Sequence, residues 1–399
     1  MHKQMSQHFD AIVIGAGVIG TSVAYHLASL GGGTVLVLER GQIGTGTTSQ
    51  SSGILRTHYS VPENVALAKM SWGVFKDFAN YLDDPEAFSG LVQCGYLIAA
   101  DEGPQADALL QSIQSQNQQG IDMQRINAQQ ARTLLPIAHF DDRAVLGFEP
   151  EAGFADAYMV NTAFARAARR RGVKIMEGVE VHGLRMTGNT VHGVRTSAGD
   201  FDANTVISTQ NMWASELSQW SGVATHVKPE RHAVLSLDGP QPYTHQMPVF
   251  KDLASSGMMY YRSYGGRQML ASEGTRGEVL AAPDNDQGNV SLDTIVEVVE
   301  QVAERFPGFE SAGLASSWTG VYDVTPDWNP VLGPVPPIQG LAVAYGFSGH
   351  GFKLSPGVGR LLAQSVLGLP TDVSLAPYAL ERFTTGRLLV GKYGAGAVS

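Results

Sequence analysis

The most constraining feature of this chain is Gly15-Ala16-Gly17-Val18-Ile19-Gly20, set between an apolar run, Ala11–Ile14, and a helical pattern that ends at Gly31-Gly32-Gly33. A second apolar run, Val35–Leu38, follows and closes on Glu39. In the helical part Val23, Leu27 and Leu30 share a face with Ile19, and Ala24 and Ala28 keep that face narrow enough to lie on a sheet. Strand, glycine turn, helix and strand make a parallel crossover, right-handed by general rule, and such a unit nucleates a doubly wound sheet. Each glycine has a physical task. Gly15 permits the tight turn, Gly17 lets a pyrophosphate approach the backbone, and Gly20 lets helix and strand touch. The helix start at Val18 and Ile19 offers unpaired N–H groups and a positive dipole end to phosphate. Glu39 is placed to accept hydrogen bonds from ribose hydroxyls and to repel a 2′-phosphate. The unit predicts a bound adenine dinucleotide.

Composition removes other classes. The chain has 399 residues, and 43% are hydrophobic, which suffices to bury a core without disulfide or metal staples. Its single cysteine, Cys94, excludes an internal disulfide and a cysteine-cluster metal site and points to a reducing compartment. With 27 Lys and Arg against 37 Asp and Glu the net charge is −10, and no basic tract exceeds Arg169–Arg171, so nucleic acid is not an expected partner. No apolar run approaches the roughly 18 residues of a membrane span, and the start, Met1–Asp10, is polar. A soluble, cytoplasmic protein without metal is expected.

Beyond Glu39, Gly41–Gly53 has no apolar period and reads as a long loop, a form that is usually functional. Helices are predicted over Asn64–Tyr81, Ala106–Gln119, Phe154–Arg171 with Asp156 as its cap, Leu292–Phe306 and Val358–Leu367. Strands are predicted at Tyr96–Ala100, Val173–Met176, Thr205–Ser208, Tyr260–Ser263, Gln268–Ala271 and Leu341–Tyr345, and Thr325–Pro337 reads as a tethered loop.

A second glycine-rich segment, Tyr345-Gly346-Phe347-Ser348-Gly349-His350-Gly351-Phe352-Lys353, joins a strand to a helix near the other end. Such a segment can lay backbone N–H groups against the pyrimidine end of a flavin. Reduced flavin carries negative charge around N1 and C2=O, which a helix N-terminus and Lys353 would stabilise. Together with the early glycine unit, this makes FAD the expected dinucleotide rather than NAD. Its expected contacts are Gly15, Gly17, Val18, Ile19, Gly20, Glu39, Arg40, Thr47, Ser52, Gly53, Ile54, Val179, Gly320, Gly346, Gly349, His350, Gly351, Phe352 and Lys353. His350, inside a backbone-binding loop, reads as structural rather than catalytic.

The glycine unit, Thr45-Gly46-Thr47-Thr48-Ser49, Ser52-Gly53-Ile54-Leu55-Arg56, Thr325-Pro326-Asp327 and Gly346–Lys353 occur in an order that resembles the D-amino-acid oxidase/sarcosine oxidase class of flavoproteins, in particular the sarcosine oxidase β-subunit type. The resemblance implies oxidation of an amino acid or of an N-methyl or cyclic amine by hydride transfer to flavin N5, giving an imine that hydrolyses. It implies that Arg56 and Lys353 grip the carboxylate of a small amine substrate and that Tyr322 is an active-site aromatic, with Tyr261 expected to line the same pocket. Gly320 stands where relatives with covalent flavin carry a cysteine, so non-covalent FAD is expected, although His58 lies near the loop through which other relatives attach theirs. Leu270 falls where oxidases present a lysine over the flavin, which leaves open whether O2 or another acceptor reoxidises it. A D-amino-acid dehydrogenase and a non-catalytic flavin-binding assembly subunit are the alternative readings, and partner subunits remain open.

The fold expected is α/β: a doubly wound, Rossmann-like FAD-binding domain interleaved with an α+β substrate domain on a mixed or antiparallel sheet. The expected FAD-binding segments are 8–85, 150–215 and 320–399. Segments 86–149 and 216–319 are expected to form the substrate domain.

Overall fold

A computed structural model describes residues 7–274 and 277–391. The opening unit folds as β1 (Gln7–Ile14), α1 (Val18–Ser29) and β2 (Val35–Glu39). β1 and β2 pair in parallel, and the sheet continues with Lys174–Glu177 beyond β2 and with Gly199–Ser208 and Leu341–Tyr345 beyond β1, all parallel. Its strands read as almost unbroken apolar runs because both faces are covered. Val13, Val37 and Ile207 face a core built with α1, Ala157–Arg170 and Gly351–Val366. Ile12, Leu36 and Val206 face the opposite layer with Leu184, Val194 and Leu217.

The second sheet is mostly antiparallel. Its order is Glu278–Val279, Lys228–Asp238, Gln268–Ser272, Tyr260–Tyr264, Val249–Asp252, Tyr96–Ala100, Val145–Glu149 and Gln124–Ile126, and only Val249–Asp252 and Tyr96–Ala100 pair in parallel. The long strand Gly313–Val324 pairs along Lys228–Asp238 and carries the chain back to the first sheet. The expected division at 319/320 falls within this strand, and residues 392–399 of the expected FAD segment lie outside the described residues. The helix Leu292–Arg305 buries Val298 and Val302 against this sheet.

The fold is therefore the expected α/β one, and several elements differ locally. Thr325–Pro337 contains a strand, Val331–Pro334, antiparallel to Leu341–Tyr345. It lies at the sheet's edge, where a proline removes no required ladder bond. The last long helix begins at Gly351 rather than Val358, with Pro356 inside it. The Phe352 carbonyl, which a residue-356 N–H would have engaged, accepts from Ser355 Oγ at 2.8 Å. Phe154 belongs to a short strand, Gly153–Phe154, paired with Ile54–Leu55, and the helix that follows starts at Ala157 under the expected Asp156 cap. The helix predicted over Asn64–Tyr81 starts at Pro62 and breaks at Asp77. No helix of the described residues is long and apolar enough to cross a membrane.

Candidate active site

Three cavities adjoin one another in series, the first along the first sheet and the other two between the sheets. The first, about 930 Å³, is walled by Gly15, Gly17, Glu39, Arg40, Thr47, Val179 and Trp213. The second, about 800 Å³, shares Gly17, Thr47, Thr48, Thr209 and Asn211 with it and continues past Val18, Ile19, Ser52, Gly320, Tyr322, Gly349, Gly351 and Phe352. The third, about 640 Å³, shares Ser52, Tyr260, Tyr322 and Gly349 with the second and holds Ile54, Arg56, Tyr96, Lys251, Trp328, His350 and Lys353. Sharing walls in this way, the cavities form a series from Glu39 to Lys353, termed the channel.

The local chemistry of the first two cavities fits a dinucleotide. Gly15 turns at φ +100°, and Gly17 caps α1 without a side chain, so the first helical N–H groups meet the channel; one of them, Val18 N–H, donates to Thr48 Oγ1 at 3.1 Å. A Cβ on Gly20 would lie 2.0 Å from the Gly15 carbonyl oxygen, so only glycine lets helix and turn meet. Glu39 accepts from Ala16 N–H and Gly41 N–H, each at 2.8 Å, which fixes its carboxylate on the channel wall with lone pairs to spare. Arg40 stacks 3.9 Å above Trp213 and pairs with Asp284 at 3.0 Å, closing the rim.

At the other end the second glycine segment is held from behind. Asp323 accepts from Gly346 N–H at 2.5 Å and Ser348 N–H at 3.3 Å, while burial pushes its carboxyl up to about 6. Gly349 crosses the Tyr322 ring where a Cβ would stand 2.6 Å from the ring. Tyr322 itself is stacked on His232 at 4.1 Å.

Arg56 is buried, lies 4.4 Å over the Tyr59 ring and donates through Nη1 to the His58 carbonyl. Lys353 stands in the first turn of the helix Gly351–Val366. Burial, then Arg56 and Lys251, push Lys353 well below the usual lysine range. Glu149, the buried acid nearby, is consumed by Thr57 and His58: it accepts from Thr57 N–H at 2.9 Å, from Thr57 Oγ1 and from His58 Nδ1.

The structure brings Arg56, Lys353 and Tyr322 into one cavity, with His350, Gly349 and Ile54 beside them. Gly20, Gly53 and Gly346 lie behind the wall: a Cβ on Gly53 would stand 2.2 Å from the Ala155 carbonyl oxygen and one on Gly346 2.3 Å from Thr325 Cγ2, and both turn at positive φ, +69° and +76°. Tyr261 is a correction. Its side chain is fully buried in the core of the second sheet, against Phe250 and Phe306 at 5.6 and 4.8 Å, and its neighbour Tyr260 lines the channel instead. Leu270 packs beside Tyr260 and Val234, whereas the lysine from the second sheet is Lys251. His58 lines none of the three cavities. Sequence reading missed Lys251, Tyr260, His232 and Trp213; a buried lysine in an apolar strand context was the one available signal.

A doubly wound sheet with this channel fits a dinucleotide-binding enzyme, and the chain belongs to the FAD dependent oxidoreductase family, whose profile matches residues 10–365. It is 28% identical to sarcosine oxidase subunit beta of Arthrobacter sp over 409 aligned positions, covering 100% of this chain and 96% of that one. Glycine oxidase of Geobacillus kaustophilus is 28% identical, covering 98% of this chain and 100% of that one; its crystal structure superposes with a TM-score of 0.82. The crystal structure of L-proline dehydrogenase from P. horikoshii, 24% identical, covers 96% of this chain and 100% of that one with a TM-score of 0.88. The protein is thus an FAD-dependent oxidoreductase.

Proposed function

We propose that the chain oxidises a small amino acid or N-methyl or cyclic amine, sarcosine- or proline-like, at the carbon–nitrogen bond, and that Arg56 and Lys353 hold its carboxylate. The observation that carries this reading is the meeting of these two cations in a cavity that opens, past Tyr260 and Tyr322, onto the flavin channel. FAD bound in that channel supplies an acceptor for the hydride. Arg56 is oriented by His58 and Tyr59, so its remaining N–H groups form a fixed fork for a carboxylate. Lys353 adds a charge that a carboxylate stabilises on arrival. Tyr260 and Tyr322 wall the reacting carbon from water. The acids close to the cavity are already engaged: Glu149 holds Thr57 and His58, and Asp323 holds the glycine segment. An amine that arrives neutral needs no protein base. Burial, with Lys353, Arg56 and Lys251, keeps His350 well below its ordinary range and so uncharged.

We further propose non-covalent FAD, because Gly320 offers no attachment and His58 lines none of the three cavities. Cytoplasmic location fits the lone, half-buried Cys94. The naming of one relative as a subunit supports a search for partner chains. The test is anaerobic titration of the yellow holoenzyme with sarcosine, proline and D-amino acids, followed by air. Bleaching by an N-methyl or cyclic amino acid is expected; bleaching by D-amino acids alone would favour a D-amino-acid dehydrogenase, and no bleaching by any would overturn the enzymatic reading. Acid precipitation should release all colour into the supernatant, and colour retained in the pellet would contradict non-covalent binding.

A further inference from the structure

The cavity holds more basic side chains than one carboxylate needs. Lys251 projects into it from the strand Val249–Asp252, opposite in pleat to Asp252, which turns away to Arg143 at 3.0 Å and Arg305 at 2.9 Å. Lys251 is buried, and a buried lysine is normally paired. Its ammonium donates to the Met258 carbonyl at 2.5 Å, which leaves two further donors, and it lies 5.8 Å from the Tyr260 ring. Room for it is built in: a Cβ on Gly274 would stand 1.9 Å from Nζ.

Among the described residues no carboxylate lies within ion-pair distance of Arg56, Lys251 or Lys353. The nearby acids are spent elsewhere, Glu149 on Thr57 and His58, Asp252 on its two arginines, and Glu273 on Gln301 Nε2 at 3.1 Å. Burial and Arg56 bring Lys251 down to about 7, so a neighbouring anion would restore its charge. Three basic groups in one desolvated cavity are all charged only when anions separate them, and one carboxylate is satisfied by the Arg56 fork with Lys353.

We propose that the substrate is a diacid, an amino acid carrying a second carboxylate on its side chain or its nitrogen substituent, and that Lys251 binds that second carboxylate. This rests on the reading of Arg56 and Lys353 as the grip on the first. Lys251 is then the residue that sets specificity, with Gly274 keeping its place open.

The test compares chain-matched acids that cannot react, succinate against butyrate and glutarate against valerate, binding to the holoenzyme by calorimetry and by perturbation of the flavin spectrum. The diacid of at least one pair should bind about ten-fold or more tightly than its partner, the size of an added hydrogen bond between charged groups. Lys251→Met should abolish that preference, and Gly274→Ala, which displaces the ammonium, should weaken it in the same direction. Equal binding within both pairs, or a preference that survives Lys251→Met, overturns the proposal. In turnover, the ratio of kcat/KM for N-methylaspartate to that for N-methylalanine should fall by a similar factor in Lys251→Met. A diacid preference without flavin reduction by any amine supports the Lys251 site and contradicts amine oxidation; amine oxidation without the preference does the reverse.

Discussion

Replacing Arg382 by methionine exposes how the second glycine segment is supported. Arg382 is buried and donates to Asp327 Oδ2 at 2.7 Å and Oδ1 at 3.0 Å, to the Asn329 carbonyl at 2.7 Å and to the Tyr378 carbonyl at 2.9 Å. Asp327 in turn accepts from Asn329 N–H and Leu389 N–H, and Thr325, in the same loop, donates through its N–H to Ser348 Oγ at 3.3 Å. Removing one partner of such a buried pair leaves an uncompensated charge and costs about 3–5 kcal/mol. An unfolding entropy of about 2 cal/mol/K per residue makes 1 kcal/mol worth about 1.2 °C for a chain of 399 residues, so Tm should fall by about 4–6 °C. Lys76→Met is the control. Its partner Glu151 sits 2.9 Å away, but both side chains are about half exposed, and an exposed pair contributes at most about 1 kcal/mol. Scanning calorimetry of the two holoenzymes, with FAD occupancy matched by absorbance, reads the difference. Equal shifts would refute the argument that the buried pair braces the loop. Adding Asp327→Asn to Arg382→Met should recover part of the loss, because it removes the stranded charge.

Other outcomes follow from the same geometry. Gly20→Ala should destabilise the fold and strip FAD on gel filtration, because its Cβ would sit 2.0 Å from the Gly15 carbonyl oxygen, whereas Gly73→Ala, with nothing within 4 Å and away from the channel, should retain FAD. Tyr261→Phe should leave stability equal or slightly raised in urea unfolding, since its buried hydroxyl has no hydrogen-bond partner, while Tyr260→Ala should raise KM for the amine. Burial holds His26 at about 4, with Nδ1–H donating to the Ser22 carbonyl at 2.6 Å and Nε2 accepting from the Tyr81 hydroxyl at 2.8 Å. The unfolded chain returns this group to its ordinary 6.5, so stability present above that pH is lost as pH falls toward 4. At pH 5 the loss is about 2 kcal/mol, and His26→Gln should flatten the urea-midpoint profile between pH 7.5 and 5 by that amount.

How much was legible depended on how local the signal was. The β1–α1–β2 unit, the Asp156 cap and the strand Leu341–Tyr345 are written in short-range pattern, since turn chemistry and apolar period sit in adjacent residues. The helix start at Gly351 was hidden by Pro356, whose missing N–H is offset by a serine that no periodicity reveals. Tyr260 and Tyr261 show the limit for strands. A shift of one residue reverses the face, and two adjacent aromatics give no polarity contrast to choose between them. Lys251 and His232 reach the channel from distant strands of the second sheet, a placement set by pairing across long sequence separations. Arg56 and Lys353 could be paired from sequence only because the family's motifs carry them.

The central claim is that Arg56 anchors a substrate carboxylate beside the flavin. It is tested most directly by anaerobic stopped-flow reduction with the best amino-acid substrate and with its decarboxylated amine, in wild type and Arg56→Ala. Loss of a bidentate charged contact is expected to weaken amino-acid binding by about 100-fold or more in the variant, with FAD retained and with wild type almost unreactive toward the decarboxylated amine. An Arg56→Ala enzyme that binds and reduces as wild type does, or a wild type that accepts both amines equally, would contradict the account.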